Sequence, residues 1–284
     1  MKTGNVFSLA KWGVASLVAI CMAFPGAAQA APVSYTGGAY LQNFDTLPTT
    51  GSGTLTGKGP NDLVPGWVGA TGLTGWQGAI DPTSSGTNTE YRAQDGSLSG
   101  SAGRGLISFG TTAATDRALG ALATSNQIPS FGLLLTNTSS LTFTEFTLSY
   151  TGEQWRRGNV PSPNKLAFAY GEGANINSPL TAFAGLNFTA PNTQVSPTEV
   201  ALDGNAKANQ TAISATITGL NWAPGETLVL RWAGEDLSGQ DDGLGIDNLS
   251  FTAHVVPEPS SVALALLGGM GVLAAMWRRR AARA

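Results

Sequence analysis

The ten residues LTFTEFTLSY, Leu141 to Tyr150, alternate apolar with polar side chains, the pattern of a strand with one buried face. Leu141 and Phe143 share one parity while Phe146, Leu148 and Tyr150 share the other, so an unbroken strand would turn part of the set toward water. A bulge near Thr144 and Glu145 restores a single buried face and is expected there. Nine other stretches have strand character: Tyr40 to Phe44, Gly105 to Phe109, Ala118 to Thr124, Phe131 to Leu135, Leu166 to Tyr170, Leu186 to Thr189, Ala212 to Ile217, Thr227 to Trp232 and Leu244 to Thr252. No long helical periodicity separates them, and the chain has 37 glycines and only 12% charged residues. The predicted fold class is therefore all-β, an antiparallel two-sheet β-sandwich of the jelly-roll type. A propeller or solenoid would need an internal period, and there is none.

About 225 residues lie between Ala31 and Val256, enough for a single large domain, taken as 31–255. Within it, Asn43 to Gly69 reads as a long surface loop or lid, with TTGSGTLTGKGPND ahead of VPGWVGATG. Residues 1–30 form an export signal. Lys2 and Lys11 are basic, Trp12 to Phe24 is apolar apart from Ser16, and Ala28-Gln29-Ala30 supplies an Ala-x-Ala cleavage site. The apolar run is shorter than the roughly 20 residues of a spanning helix, so cleavage near Ala31 is expected rather than anchoring. Cleavage also removes Cys21, the one cysteine, and leaves an exported domain without any disulfide.

Residues 256–284 have three parts. Val256-Pro257-Glu258-Pro259 favours an extended segment suited to a protease groove. A glycine-interrupted apolar stretch at 260–277 follows, read as one C-terminal transmembrane helix, and then Arg278, Arg279, Arg280 and Arg283. A basic cluster beside a span is retained on the cytoplasmic side, which puts everything between the two ends outside. This order resembles the PEP-CTERM sorting signal of Gram-negative exopolysaccharide producers. The resemblance implies processing by a membrane enzyme of the exosortase type, an inner-membrane intermediate, and delivery to the cell surface or extracellular matrix.

The chemistry-bearing residues are few. The lone His254 has no histidine or cysteine partner in the mature chain, which excludes the common zinc spacings and Ser-His-Asp or Cys-His catalysis. No phosphate-binding glycine loop is present. Between Ala31 and Trp277 there are 18 acidic against 9 basic residues, so nucleic acid is not an expected partner. The densest polar run is GEDLSGQDDGLGIDNLSF, 234–251, where Asp241, Asp242 and Asp247 offer hard oxygen ligands of the kind that hold Ca²⁺. Asp247 shares its parity with Leu249 and Phe251 and is expected to point inward. It then needs a partner: Ca²⁺, Arg231, or backbone amides capping it in an acidic hairpin loop.

GIDNLSF as a final strand, with NFDTLP near the mature start and a Gly-Trp soon after, resembles secreted jelly-roll modules, some of them carbohydrate-binding. That resemblance implies a structural Ca²⁺ between the first and last strands, with Asp247 and Asp45 in the positions of its ligands. Trp155, in TGEQWRRGNVPSPN, is the best candidate for an exposed aromatic that stacks on a sugar, with Glu153 as its polar partner. Three functions are consistent with these residues. The first is a non-enzymatic surface or matrix protein, the second a module that binds exopolysaccharide, and the third a glycoside hydrolase using Glu153 with Glu235 or Asp236.

Overall fold

The computed structural model describes residues 31–98, 100–193 and 198–255, together with Met1, Met270, Trp277 and Arg278. The signal peptide, its Ala28 and Ala30, the Val256 to Pro259 motif, the 260–277 span as a whole, and Arg279 and Arg280 lie outside the described residues. Among the described residues, no helix is long and apolar enough to cross a membrane.

In chain order the strands are β1 (Val33–Tyr35), β2 (Ala39–Gln42), β3 (Ser52–Leu55), β4 (Asn61–Asp62), β5 (Trp76–Ile80), β6 (Thr89–Gln94), β7 (Gly105–Phe109), β8 (Ala118–Leu122) and β9 (Pro129–Asn137). They continue with β10 (Phe143–Arg157), β11 (Lys165–Glu172), β12 (Thr181–Ala182), β13 (Phe188–Thr189), β14 (Val200–Ala201), β15 (Gln210–Trp222), β16 (Thr227–Ala233) and β17 (Gly243–His254). One sheet runs β12-β11-β16-β9-β5-β4, with β1 added to β9 and β13 to β11. The other runs β14-β10-β17-β8-β7-β6-β3, with β15 added to β10 and β2 to β17. The fold is the expected two-sheet sandwich. Two pairs depart from the antiparallel rule, since β1–β9 and β6–β7 run parallel.

Each of the ten predicted stretches contains a strand. The expected irregularity in β10 is also present: its register against β15 shifts between Phe143 and Glu145. Phe143, Phe146, Leu148 and Tyr150 are all buried, whereas Leu141 falls before the strand and is exposed. The extra residues that absorb the shift lie in β15, where Gly219 adopts φ +78°.

The Asn43 to Gly69 lid is corrected. This segment contains β3 and β4 and drives Phe44, Leu47, Leu55, Leu63 and Trp67 into the core. Its glycines and threonines masked a sparse apolar set, and those few side chains pay the entropy of ordering it.

The main core lies between the sheets and is rich in rings. Trp76 stacks on Trp232 at 6.0 Å, and Tyr150 meets Trp232 edge-on at 5.6 Å. Burial of such rings supplies most of the stabilisation open to a domain without disulfides. A second cluster of Ile107, Phe109, Ala118, Leu122 and Trp155 covers part of the outer face of the β10 sheet. A third, of Ala79, Leu134, Ile176 and Val229, covers part of the other sheet.

Candidate functional site

The site begins with a break in β17. Ser250 pairs with Ser149, but the next pair is Asp247 with Thr151, so two residues of β17 oppose one of β10. Asn248 takes up the extra residue with φ +50°, in the left-handed region that asparagine tolerates better than most residues. The bulge reverses the parity. Leu244, Ile246, Leu249 and Phe251 all enter the main core, so Asp247 turns to the opposite face with Thr151. The inward orientation expected for Asp247 is therefore corrected. Its burial is not: Asp247 is 3% exposed, because loops close over it.

Those loops arrive at a gap. On one edge of β17, β8 pairs with residues 244–246 and β2 with residues 249–252, leaving Asp247 and Asn248 between them. Asp45 follows β2, and Asp116 precedes β8. Burial, and then the negative charges of Asp116 and Asp45, hold the Asp247 carboxyl up at about 7. Its Oδ2 accepts a hydrogen bond from Asn248 Nδ2 at 2.7 Å, while Oδ1 is buried without a partner. Asp45 is exposed and accepts from Asn43 Nδ2 at 2.6 Å. The structure thus puts Asp45 and Asp116 near enough to Asp247 for their charges to act on it.

Asp241 and Asp242 do not join them. Asp242 accepts from the backbone N–H of Gly158 at 2.7 Å and of Asn164 at 3.2 Å. Asp241 accepts from Asn164 Nδ2 at 2.8 Å and from the Leu237 N–H at 2.9 Å. These two carboxylates clasp the loop after β10 to the loop before β17, and their expected place beside Asp247 is corrected. Among the described residues, no group of three or more His, Cys, Asp or Glu side chains is arranged to hold a metal. Arg231 is also removed as a partner of Asp247, since it donates to the Ile176 carbonyl at 3.1 Å in the other sheet.

Trp155 is the largest correction. It is fully buried, stacked on Phe109 at 6.0 Å, and its Nε1 donates to Glu153 Oε2 at 2.9 Å. The Leu202 N–H bonds to the Trp155 carbonyl, and Gly204 lies against the indole where any larger residue would collide. Glu153 is buried too and accepts from Gln210 Nε2 at 3.1 Å. Burial raises its pKa to about 8, with Asp247 and Asp116 adding to the shift and the Trp155 hydrogen bond opposing it. Glu235 pairs with Lys165 and Asp236 is exposed, whereas Glu153 is buried and bonded to Trp155 and Gln210. Trp67, Trp76, Trp222 and Trp232 are likewise interior. The polar company of Trp155 along the chain gave no sign of its burial, because a third layer covers the outer face here.

β17 ends at His254, which pairs with Glu145, and the tail leaves the sheet at Val255. Residues 255–280 match the PEP-CTERM protein-sorting motif. The PEP-CTERM motif thus starts within a residue of the last paired strand, with no linker between domain and signal. No curated protein matches the chain. Among solved structures, the chain is similar to the K3 cleaved adhesin domain of Lys-gingipain from Porphyromonas gingivalis W83, at 12% identity over 63% of this chain and 91% of that one, TM-score 0.37. It is similar also to the CBM22-1 xylan-binding domain of Paenibacillus barcinonensis Xyn10C, at 11% identity over 79% and 97%, TM-score 0.29. A third is the N-terminal cellulose-binding domain of Cellulomonas fimi β-1,4-glucanase C, at 16% identity over 80% and 99%, TM-score 0.28.

Sequence reasoning missed Asp116. The signal was present, an Asp-Arg pair immediately before an apolar strand, but nothing local links it to Asp247 more than a hundred residues away.

Proposed function

We propose that this is a non-enzymatic protein of the cell surface or extracellular matrix, exported through its N-terminal signal, held briefly at the inner membrane by its PEP-CTERM tail, and released by an exosortase-like enzyme. The observation that carries the reading is the sorting motif fused directly to β17. The tail supplies the address, and the sandwich is the cargo. Intact-mass measurement of the released protein is expected to give a chain starting near Ala31 and ending between Pro257 and Ser261. A chain in the medium that still ends at Ala284 overturns the processing step.

The cargo's own chemistry supports a structural ion. A buried Asp247 oxygen without a partner, with Asp45 and Asp116 nearby, suits a hard cation such as Ca²⁺ better than any group now facing it. The ion would neutralise the cluster and tie the loops after β2 and before β8 to β17. Its other ligands would come from main-chain and amide oxygens of those loops.

One observation favours contact with exopolysaccharide as a second role. The registers align hydroxyls in rows across three strands, Thr216-Thr147-Thr252 and Ser214-Ser149-Ser250, on the face turned away from the main core. Retention on the producer's polysaccharide, reduced by replacing Thr147 and Thr216 with Val, supports this role. Retention unchanged by those replacements removes it.

A further inference from the structure

The two sheets differ in how they protect their edges. An unpaired edge strand exposes a row of N–H and C=O groups that only another extended strand satisfies well, and proteins blunt such edges by shortness, Pro, Lys or bulges. β3 has four residues, β4, β12 and β14 have two each, and β2 has four. β15 has thirteen, QTAISATITGLNW, pairing on one side with β10 alone. Among the described residues, no backbone or side-chain group is hydrogen-bonded to the backbone edge of Thr211 to Asn221. The strand contains no charged residue and no proline, and its irregularity is confined to the end near Gly219. The regular part, Gln210 to Thr218, has Ser214 at its centre.

We propose that the β15 edge pairs antiparallel with the β15 edge of a second copy, and that release from the membrane permits this pairing. The absence of charge points to self-pairing: a two-fold axis near Ser214 sets Ser214 against its own copy, Ile213 against Ala215 and Ala212 against Thr216, and no like charges meet. The same axis carries the Ser row across into the partner's sheet.

The topology adds the second half. β15 and β17 both run antiparallel to β10, so they point the same way. Antiparallel joining of two β15 edges therefore sends the two β17 strands in opposite directions. Two copies whose β17 strands lead into one membrane in the same direction cannot join through this edge. Cutting the tail removes the conflict. This second half rests on the processing reading above, whereas the edge pairing does not.

The test uses the full chain expressed in an exporting Gram-negative host. Sedimentation of the released protein is expected to show a dimer whose dissociation constant rises roughly tenfold or more in Ser214→Lys and in Ser214→Glu. An equimolar mixture of the two variants is expected to dimerise again, a rescue that a folding defect does not give. A monomer at all concentrations, or a dimer indifferent to both charges, overturns the edge pairing. In a Cys21→Ser background, Ser214→Cys is expected to form a disulfide-linked dimer in the released fraction but not in the membrane fraction. Equal cross-linking in both fractions overturns the dependence on release and leaves the edge pairing intact. If intact mass shows an uncut tail, the processing reading fails by itself while sedimentation still reports on the edge.

Discussion

Raising the pH from about 5 to about 8 in the presence of a chelator is expected to lower the unfolding temperature of this domain. The sign follows from proton linkage. Burial lifts the folded-state values of Asp247 to about 7 and of Glu153 to about 8, above the ordinary carboxylate range that both adopt when unfolded. Between the two ranges the folded chain binds more protons than the unfolded one, so stability falls as pH rises. Each pH unit crossed in that window costs about 1.4 kcal/mol per carboxyl. Asp241 and Asp242, also raised by burial, act in the same direction. Asp81 and Asp95 are lowered, through hydrogen bonds with Thr83 and Ser97, and so exert their effect at more acidic pH, outside this window.

Asp247→Asn is expected to flatten part of this dependence and to raise the unfolding temperature at about pH 8 in chelator, because it removes a buried charge. Calcium is expected to raise the wild-type unfolding temperature at the same pH by mass action and to leave Asp247→Asn unmoved. Scanning calorimetry of wild type and variant, with and without calcium, reads all four conditions. Stability that rises from pH 5 to 8 in chelator would contradict the buried-acid account. A wild type indifferent to calcium would remove the ion.

Trp155→Ala is expected to cost about 3 to 5 kcal/mol, the range for truncating a large ring in a packed interior. The loss has two parts. The cavity opens against Phe109, and Glu153 loses the indole N–H that satisfies one of its oxygens. Trp155→Phe keeps most of the packing and forfeits the hydrogen bond, so its cost is expected to be smaller. Chemical denaturation separates the two variants. Polysaccharide retention by folded Trp155→Phe is expected to equal that of wild type, since the ring does not reach the surface. Reduced retention with unchanged stability would place the indole in a binding face.

The strands rich in β-branched and aromatic residues were legible because alternation is a local consequence of pleating, and β7, with every residue buried, was equally plain as a short apolar run. β5 and β6 were not legible. WQGAI is too short and glycine-broken to stand out, and TEYRAQ is mostly polar. β6 is held in place by β3, by its parallel partner β7 and by the ion pair of Glu90 with Arg104, none of which a local pattern records. Of the candidate site, Asp45 and Asp247 were legible and Asp116 was not.

From its residues alone, this chain is an all-β domain ahead of a PEP-CTERM sorting motif, because charge, hydropathy and strand alternation are properties of contiguous sequence. The tertiary structure decided which faces are covered. One left-handed asparagine in β17 turned Asp247 to the other side of the sheet, and a loop folded over β10 converted Trp155 from a candidate platform into core. Both depend on contacts between segments far apart in the chain, and periodicity carries no record of those contacts.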